Sequence, residues 1–96
     1  MIARVLYTEF EGGNRDQSVA NLNENVIPEL KNQPGFVAAY WMADESGKGL
    51  NVILWSDATT EAANEARIGS RREEMMAKLG IRLIKKETRE VVAHSH

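Results

Sequence analysis

Five side chains on the apolar segments of this sequence have the chemistry to bind a small molecule: Tyr7, Tyr40, Trp41, Asn51 and Trp55. Aromatic side chains bury a large apolar area and stack on flat ligands. In a pocket that excludes water, an amide such as that of Asn51 would stabilise negative charge on a bound anion. The sequence therefore predicts a substrate-binding pocket lined by these five residues.

Each of these residues also has a structural interpretation. The aromatic side chains could pack in the protein core or in a subunit interface, and Asn51 could face solvent. Arg4 is a further candidate for stabilising an anion, but it could instead pair with an acidic neighbour across a sheet. No residue stands out as a general base, so the catalytic residues are left unassigned.

Four segments of the sequence have the composition of β-strands. They are rich in β-branched and aromatic residues and contain no internal proline, and they cover residues 1–10, 36–43, 50–55 and 81–93. The polar residues 11–14 end the first strand. The polar residues 44–49 have the turn chemistry of a hairpin between the second and third strands.

A first helix is predicted between the first two strands. Asn14 or Asp16 would cap its first turn. One apolar stripe follows from residues three and four positions apart, namely Val19, Leu22, Val26 and Leu30. Pro28 predicts a kink or an irregular last turn, because proline removes a helical hydrogen bond.

A second helix is predicted between the third and fourth strands. Ser56 or Asp57 would cap it, and it would run to about Leu79. Its apolar stripe is weak, and glycine disfavours the helix interior, so a break into two pieces is expected near residues 69–70.

The order of these elements, β-α-β-β-α-β, predicts the α+β ferredoxin-like fold. In this fold, two helices cover one face of a four-stranded antiparallel sheet. The length allows one hydrophobic core, so residues 1–96 are expected to form a single domain with an ordered core at 1–93 and a frayed tail at 94–96.

The second predicted strand is apolar on both of its faces. Alternation along the strand would place Phe36, Ala38, Tyr40 and Met42 on one face, and Val37, Ala39, Trp41 and Ala43 on the other. Two helices can cover only one face of the sheet. The other face therefore needs a partner, and a second copy of the chain in a homodimer would cover it.

Several turns and strand ends resemble the antibiotic biosynthesis monooxygenase domain of the dimeric α/β-barrel superfamily. The similar features are the Pro-Gly-Phe turn at 34–36, the aromatic second strand, the Gly-Lys-Gly-Leu turn at 47–50 and the Leu-Trp-Ser-Asp sequence at 54–57. The resemblance extends over roughly residues 2 to 93. It implies two ferredoxin-like protomers whose sheets form a shared barrel.

The resemblance also implies a reaction. Some members of the family oxidise polyketide-derived aromatic phenols with molecular oxygen and without a cofactor. The expected function is therefore a cofactor-independent monooxygenase acting on a small apolar or aromatic molecule. The alternative is a dimeric α/β-barrel protein without catalysis, which binds a small ligand or serves in a stress response.

Haem and metal chemistry are not expected. Relatives that degrade haem use an asparagine on the first strand, a tryptophan in the second helix and a histidine late in that helix. Here the first strand offers no asparagine, Asn64 takes the place of the tryptophan, and the second helix has no histidine. The two histidines, His94 and His96, lie in the predicted tail without a third ligand nearby, and the chain has no cysteine.

The charge is unevenly distributed along the sequence, and such an asymmetry can indicate a nucleic-acid-binding surface. Residues 1–66 carry a net charge of −6 and residues 67–96 a net charge of +4. The whole chain is acidic, at −2, whereas nucleic-acid-binding domains are usually basic, so no nucleic-acid partner is expected. The sequence begins without a basic leader and has no apolar run long enough to span a bilayer, so no membrane association and a cytoplasmic location are expected.

Overall fold

A computed structural model describes residues 1–10 and 15–95. The predicted ferredoxin-like order and the four-stranded antiparallel sheet are confirmed, with the strands in the order β2-β3-β1-β4. The elements are β1 (Ile2–Phe10), α1 (Arg15–Asn21), a π-helical turn (Leu22–Val26), α2 (Ile27–Lys31), β2 (Phe36–Ala43), β3 (Lys48–Trp55), α3 (Ala58–Lys78) and β4 (Ile81–Glu90). The predicted strand end at 11–14 and the possible cap Asn14 lie outside the described residues.

The first helical segment is interrupted by the π-helical turn, which directly precedes α2. Pro28 lies in the first turn of α2. Proline has no N–H to donate to the carbonyl one turn back, and its ring crowds that carbonyl. The irregularity therefore lies in the turn before Pro28, earlier than the sequence predicted, and the wider π turn accommodates it.

The second helix, α3, is a single piece of 21 residues, so the predicted break near residues 69–70 is wrong. Its N-terminus is capped as predicted, because the Asp57 carboxylate accepts a hydrogen bond from the Thr60 amide at 2.8 Å. Gly69 is buried in the helix. Glycine in a helix interior costs about 1 kcal/mol relative to alanine. Packing of the helix against the sheet outweighs this cost.

The last strand, β4, ends three residues before the predicted position at Ala93. It pairs with β1, and the last pair in the register joins Glu90 to Ile2. One further backbone hydrogen bond runs from the Val91 amide to the Met1 carbonyl at 2.9 Å.

The two faces of the sheet follow from the strand register. The face that packs against the helices, here called the helix-side face, includes Leu6, Thr8, Phe36, Ala39, Trp41, Asn51, Ile53 and Trp55. The opposite face, here called the open face, includes Val5, Tyr7, Ala38, Tyr40, Met42, Leu50, Val52 and Leu54.

A β-bulge in β2 changes the predicted alternation. Phe36 pairs with Trp55 and Ala38 pairs with Leu54, so Val37 is an extra residue. Because the extra residue reverses the alternation, Phe36 lies on the helix-side face and not on the face of Tyr40 as predicted. The Phe36 ring meets the Trp55 ring edge to face, with centroids 5.9 Å apart.

The hydrophobic core lies between the helix-side face and the helices. Leu30 of α2 packs with Ile53 and Trp55 of β3, and Ile68 of α3 packs against this cluster. Only one end of the helix-side face is filled in this way. Towards the other end of β3 the sheet and the helices enclose a cavity.

Candidate functional site

A cavity of about 550 Å³ lies between the helix-side face of the sheet and the helices. Its walls come from β1, β2, β3 and the start of β4 below, and from α1, α2, the π-helical turn and α3 above. Most of its surface is apolar, from side chains that include Leu22, Val26, Ile53, Ile68 and Met76. Its volume falls within the range of about 300–1,000 Å³ that is typical of small-molecule sites.

Two of the five predicted binding residues line this cavity. Trp41 of β2 and Asn51 of β3 are directly opposite each other in the strand register, and both are half-buried. The indole therefore offers a flat apolar wall next to a carboxamide that can donate and accept hydrogen bonds.

The other three predicted residues lie elsewhere. Trp55 is only 2% exposed, packs against Phe36 in the core and is outside the cavity lining. Tyr7 and Tyr40 lie on the open face, on the far side of the sheet from the cavity. The structure therefore separates the five residues into two at the cavity, one in the core and two on the open face.

Several polar residues of the described lining were not found from the sequence, and two of them, Ser18 and Arg72, have a buried polar atom. Ser18 of α1 is 4% exposed and its hydroxyl oxygen is buried. Arg72 of α3 is half-buried, and its Nε atom is buried. Neither atom has a hydrogen-bond partner within the described parts of the chain. No sequence motif marks either residue. Whether each of them lies at the cavity depends on how α1 and α3 are rotated about their axes, which the sequence does not display.

Arg72 is fixed by a network of charges between α3 and the sheet. Its guanidinium donates to both carboxylate oxygens of Glu65 at 2.9 Å. Lys86 of β4 lies 3.5 Å from the same carboxylate, and Arg4 of β1 lies 3.8 Å from it. Burial raises the pKa of Glu65, but the charges of Arg72, Arg4 and Lys86 outweigh it and hold the pKa below its ordinary value.

Arg4, a candidate from the sequence for stabilising an anion, is committed to this network. Its Nε donates to the Glu61 carboxylate at 2.6 Å, and both side chains are largely buried. The alternative interpretation of Arg4 as an ion-pair partner within the fold therefore agrees with the structure, although its partner is on α3 and not on the neighbouring strand.

A second ion pair lies at the rim of the cavity. Arg71 of α3 donates to the Glu29 carboxylate of α2 at 2.8 Å, and both side chains are exposed. Glu29 is the only carboxylic acid among the described residues of the lining, which include no histidine. The pair links two helices across the cavity and reduces the availability of Glu29 as a base.

The open face is apolar on three of its strands. Val5, Leu50, Val52 and Leu54 are half-buried within the monomer, and Tyr40 is 54% exposed. The fourth strand, β4, is charged on this side, where Lys85 and Arg89 pair with Glu87. The Tyr7 hydroxyl also donates to Glu87, at 3.3 Å.

The described residues contain neither a metal-binding cluster nor a helix that could cross a membrane. Within 1–10 and 15–95, no group of three or more histidine, cysteine, aspartate or glutamate side chains is placed to hold a metal ion. Across the same ranges, no helix combines the length and the apolar character needed to cross a membrane.

Comparison with known proteins supports the fold. A proposed antibiotic biosynthesis monooxygenase from Deinococcus radiodurans is 12% identical, with a TM-score of 0.77 over 100% of this chain and 97% of that chain. SnoaB, a cofactor-independent oxygenase from Streptomyces nogalater, is 12% identical, with a TM-score of 0.74 over 97% of this chain and 94% of that chain. A dimeric ferredoxin-like protein from an uncultured marine organism is 13% identical, with a TM-score of 0.72 over 100% and 99%.

These neighbours confirm the fold that the sequence resemblance implied. The chain has the ferredoxin-like fold found in proteins of the antibiotic biosynthesis monooxygenase kind and in dimeric ferredoxin-like proteins. No family model and no curated protein matches the sequence itself. At 12–13% identity the likeness establishes the fold, and the function has to be argued from the cavity.

Proposed function

We propose that this chain is a cofactor-independent monooxygenase that oxidises a small aromatic, polyketide-like molecule. The observation that carries the proposal is the apolar cavity of about 550 Å³ with Trp41 and Asn51 side by side on its wall. The structural likeness to a cofactor-independent oxygenase supports it. The cytoplasmic location expected from the sequence is part of the same proposal.

The reaction needs an electron-rich substrate, because molecular oxygen reacts slowly with closed-shell molecules. An anthrone fits this need. Loss of a proton gives an aromatic anion, which passes an electron to oxygen and then combines with the superoxide to form a peroxide at the ring carbon. Cleavage of the O–O bond leaves one oxygen atom as a carbonyl, and the other leaves as water with the two hydrogens of the original CH₂ group. The substrate supplies all the electrons.

The two cavity residues have separate roles in this proposal. The Trp41 indole would stack on the aromatic rings and hold them away from water. The Asn51 amide would donate a hydrogen bond to the oxygen atom on which the anion's negative charge is concentrated. Removing one such donor from an oxyanion site typically lowers kcat by a factor of about 100–1,000.

The second candidate is a dimeric protein that binds a small ligand without transforming it. The pairing of Glu29 with Arg71 favours this candidate, because it occupies the one carboxylate that the described lining offers as a base. An oxygenase of this design must therefore act on a substrate acidic enough to lose its proton to water.

We also propose that the working form is a homodimer joined through the open face. Tyr40, Leu50, Val52 and Leu54 would leave a continuous apolar surface in water if the monomer were alone. A second copy related by a twofold axis would cover that surface sheet against sheet. The likeness to a dimeric ferredoxin-like protein supports this arrangement.

Oxygen uptake with 1,8-dihydroxyanthrone, corrected for autoxidation in buffer, tests the oxygenase proposal. We expect the wild-type chain to accelerate uptake, and Asn51→Ala to lower kcat by about 100-fold or more. Asn23→Ala is the matched control, because Asn23 is an exposed amide outside the cavity lining. Binding of the anthrone without any acceleration of oxygen uptake would favour the ligand-binding candidate.

A further inference from the structure

A threonine on the floor of the cavity carries a hydroxyl group that the protein itself does not use. Thr8 of β1 lines the cavity and is 6% exposed. Its hydroxyl forms no hydrogen bond with the described residues, yet it is not one of the fully buried unpaired oxygens, as Ser18 Oγ is. The Thr8 hydroxyl therefore keeps accessible surface, and because Thr8 lines the cavity, that surface is open to a ligand bound there.

Gly49 of β3 gives this hydroxyl its place. Thr8 and Gly49 are directly opposite each other in the strand register. A Cβ atom at position 49 would collide with the Thr8 hydroxyl oxygen, whereas Thr8 Cβ would lie 3.7 Å from it. The hydroxyl therefore occupies the space that a side chain at position 49 would fill, in the row of β3 side chains on the helix-side face.

The next side chain in that row is Asn51. Residues two positions apart on a strand lie on the same face, about 6.6 Å from each other. The Thr8 hydroxyl and the Asn51 amide are therefore close neighbours on the cavity floor. A hydrogen bond from each, about 2.8 Å long, reaches into the gap between them. Two oxygen atoms that stand side by side on one ring system would complete it.

An aromatic ketone with a hydroxyl group at the adjacent ring position has such a pair of oxygens. Its phenolic O–H already donates to the ketone oxygen within the molecule, and each oxygen keeps a lone pair. An amide N–H and a threonine O–H can both donate. Asn51 can therefore bind the ketone oxygen while Thr8 donates to the phenolic oxygen.

We propose that Thr8 is a specificity-determining residue, whose hydroxyl binds a phenolic oxygen next to the ketone oxygen that Asn51 holds. This inference rests on the proposed function, because it concerns the substrate of the same cavity. It selects aromatic ketones with an adjacent hydroxyl group over those without one. Gly49 is the positioning residue, since its missing side chain leaves room for the Thr8 hydroxyl.

Two quinones that do not consume oxygen test this assignment through binding alone. 1,8-Dihydroxyanthraquinone has a hydroxyl group on either side of one ketone oxygen, and 9,10-anthraquinone has none. Quenching of tryptophan fluorescence reports binding, because Trp41 lines the cavity. We expect the wild-type chain to bind the dihydroxy compound about 3- to 10-fold more tightly, which is the gain from one neutral hydrogen bond.

Single variants assign this preference to Thr8. Thr8→Val removes the hydroxyl and nearly keeps the shape, so it should abolish the preference and leave the affinity for 9,10-anthraquinone within about twofold. Gly49→Ala should act in the same way, because the new methyl group displaces the hydroxyl. If Thr8→Val fails to fold, Gly49→Ala makes the same test with Thr8 in place. Thr88→Val is the matched control, because Thr88 is exposed on β4 outside the described lining.

A double variant moves the hydroxyl from one strand to the other. In Thr8→Ala/Gly49→Ser, the serine side chain enters the space that the threonine hydroxyl vacates, with its Cβ 3.3 Å from the Met42 carbonyl oxygen. We expect the preference for the dihydroxy compound to return to within about threefold of the wild-type value. A purely structural role of Thr8 would give no such rescue.

The outcomes separate this inference from the proposed function. Equal binding of the two quinones, a preference that survives Thr8→Val, or no rescue in the double variant would overturn the role of Thr8 and leave the proposed function standing. Failure of both quinones to bind would overturn the ligand cavity, and with it the proposed function. A preference that depends on Thr8, without oxygen uptake with 1,8-dihydroxyanthrone, would support Thr8 and replace the oxygenase by the ligand-binding candidate.

Discussion

Replacing Arg4 by methionine should destabilise the fold far more than replacing its partner Glu61 by glutamine. The Arg4 and Glu61 side chains are 13% and 7% exposed, so both charges are almost removed from water. Removing one partner of a buried pair typically costs about 3–5 kcal/mol, because the other charge is left uncompensated. In Arg4→Met, Glu61 loses its hydrogen-bonded cation and Glu65 loses one of its three cations.

The opposite substitution leaves a smaller defect. In Glu61→Gln, the amide oxygen still accepts from Arg4, and Arg4 keeps Glu65 at 3.8 Å. The Coulomb attraction at that distance is about 4 kcal/mol at an effective dielectric constant of 20, before desolvation. Glu61→Gln removes the negative charge of the acceptor but keeps the hydrogen bond from Arg4. The free energy of unfolding is therefore expected to fall by only about 1–2 kcal/mol. The asymmetry between the two variants, roughly 2–3 kcal/mol, is the quantity to measure.

Urea denaturation followed by tryptophan fluorescence gives this quantity, with all variants at one protein concentration because the stability of the proposed dimer would depend on that concentration. Arg82→Met is the matched control, since Arg82 pairs with Glu9 on the exposed surface, where such pairs contribute less than about 1 kcal/mol. An equal loss of unfolding free energy in Arg4→Met and Arg82→Met would show that burial of the Arg4–Glu61 pair does not increase its contribution. An equal loss in Arg4→Met and Glu61→Gln would show that the contact between Arg4 and Glu65 does not stabilise the fold.

The difference between wild type and Arg4→Met should also depend on pH. The folded-state pKa of Glu65 is lowered, so its contribution is present above its unfolded pKa and is lost as the pH falls through its folded pKa. Arg4 supplies part of that lowering. The stability difference between the two proteins should therefore be largest near neutral pH and narrow in acid, and a difference that grows in acid would contradict this assignment.

Three further predictions concern a turn, the open face and a helix cap. Gly35→Ala should cost clearly more than Gly47→Ala in a thermal melt, because both glycines have a positive φ but only at Gly35 would the new methyl group collide with the Thr60 side chain. Tyr40→Asp should convert the proposed dimer into a folded monomer in analytical ultracentrifugation, with unchanged far-ultraviolet circular dichroism; a dimer that persists would argue against the open face as the interface. Asp57→Ala should lower the melting temperature near neutral pH but not at low pH, because hydrogen bonds from Thr60 lower the pKa of Asp57 and this stabilisation is lost on protonation.

The sequence predicted the fold well because the fold depends on features that a sequence displays directly. Strand composition, turn residues and the Asp57 cap located most elements to within a few residues. The failures came from tertiary context. The propensity of Gly69 did not break α3, because packing outweighs propensity, and the β-bulge at Val37 placed Phe36 on the opposite face from the one predicted.

The candidate site was harder to predict, because it depends on which face of each strand meets the helices. Alternation alone shows that Trp41 and Tyr40 point in opposite directions, but not which of them faces a cavity. The register provides that answer, since Trp41 lies opposite Asn51 on the helix-side face. Trp55 also lies on the helix-side face, but Phe36 and Leu30 cover it. An aromatic residue on the helix-side face is therefore not always part of the cavity wall.

The position of Ser18 shows how a local irregularity determines which residue of α1 is buried against the sheet. The predicted stripe began at Val19, yet Val19 is 47% exposed and Ser18 is buried in its place. Residues 18, 22, 26 and 30 are four positions apart, which matches the wider spacing of a π-helical turn better than the 3.6-residue period of a regular helix. One extra residue in the turn rotates the preceding helix by about 100° relative to a regular continuation. The crowding by Pro28 that the π turn accommodates therefore buries Ser18 where the predicted stripe would have buried Val19, and both residues belong to the cavity lining.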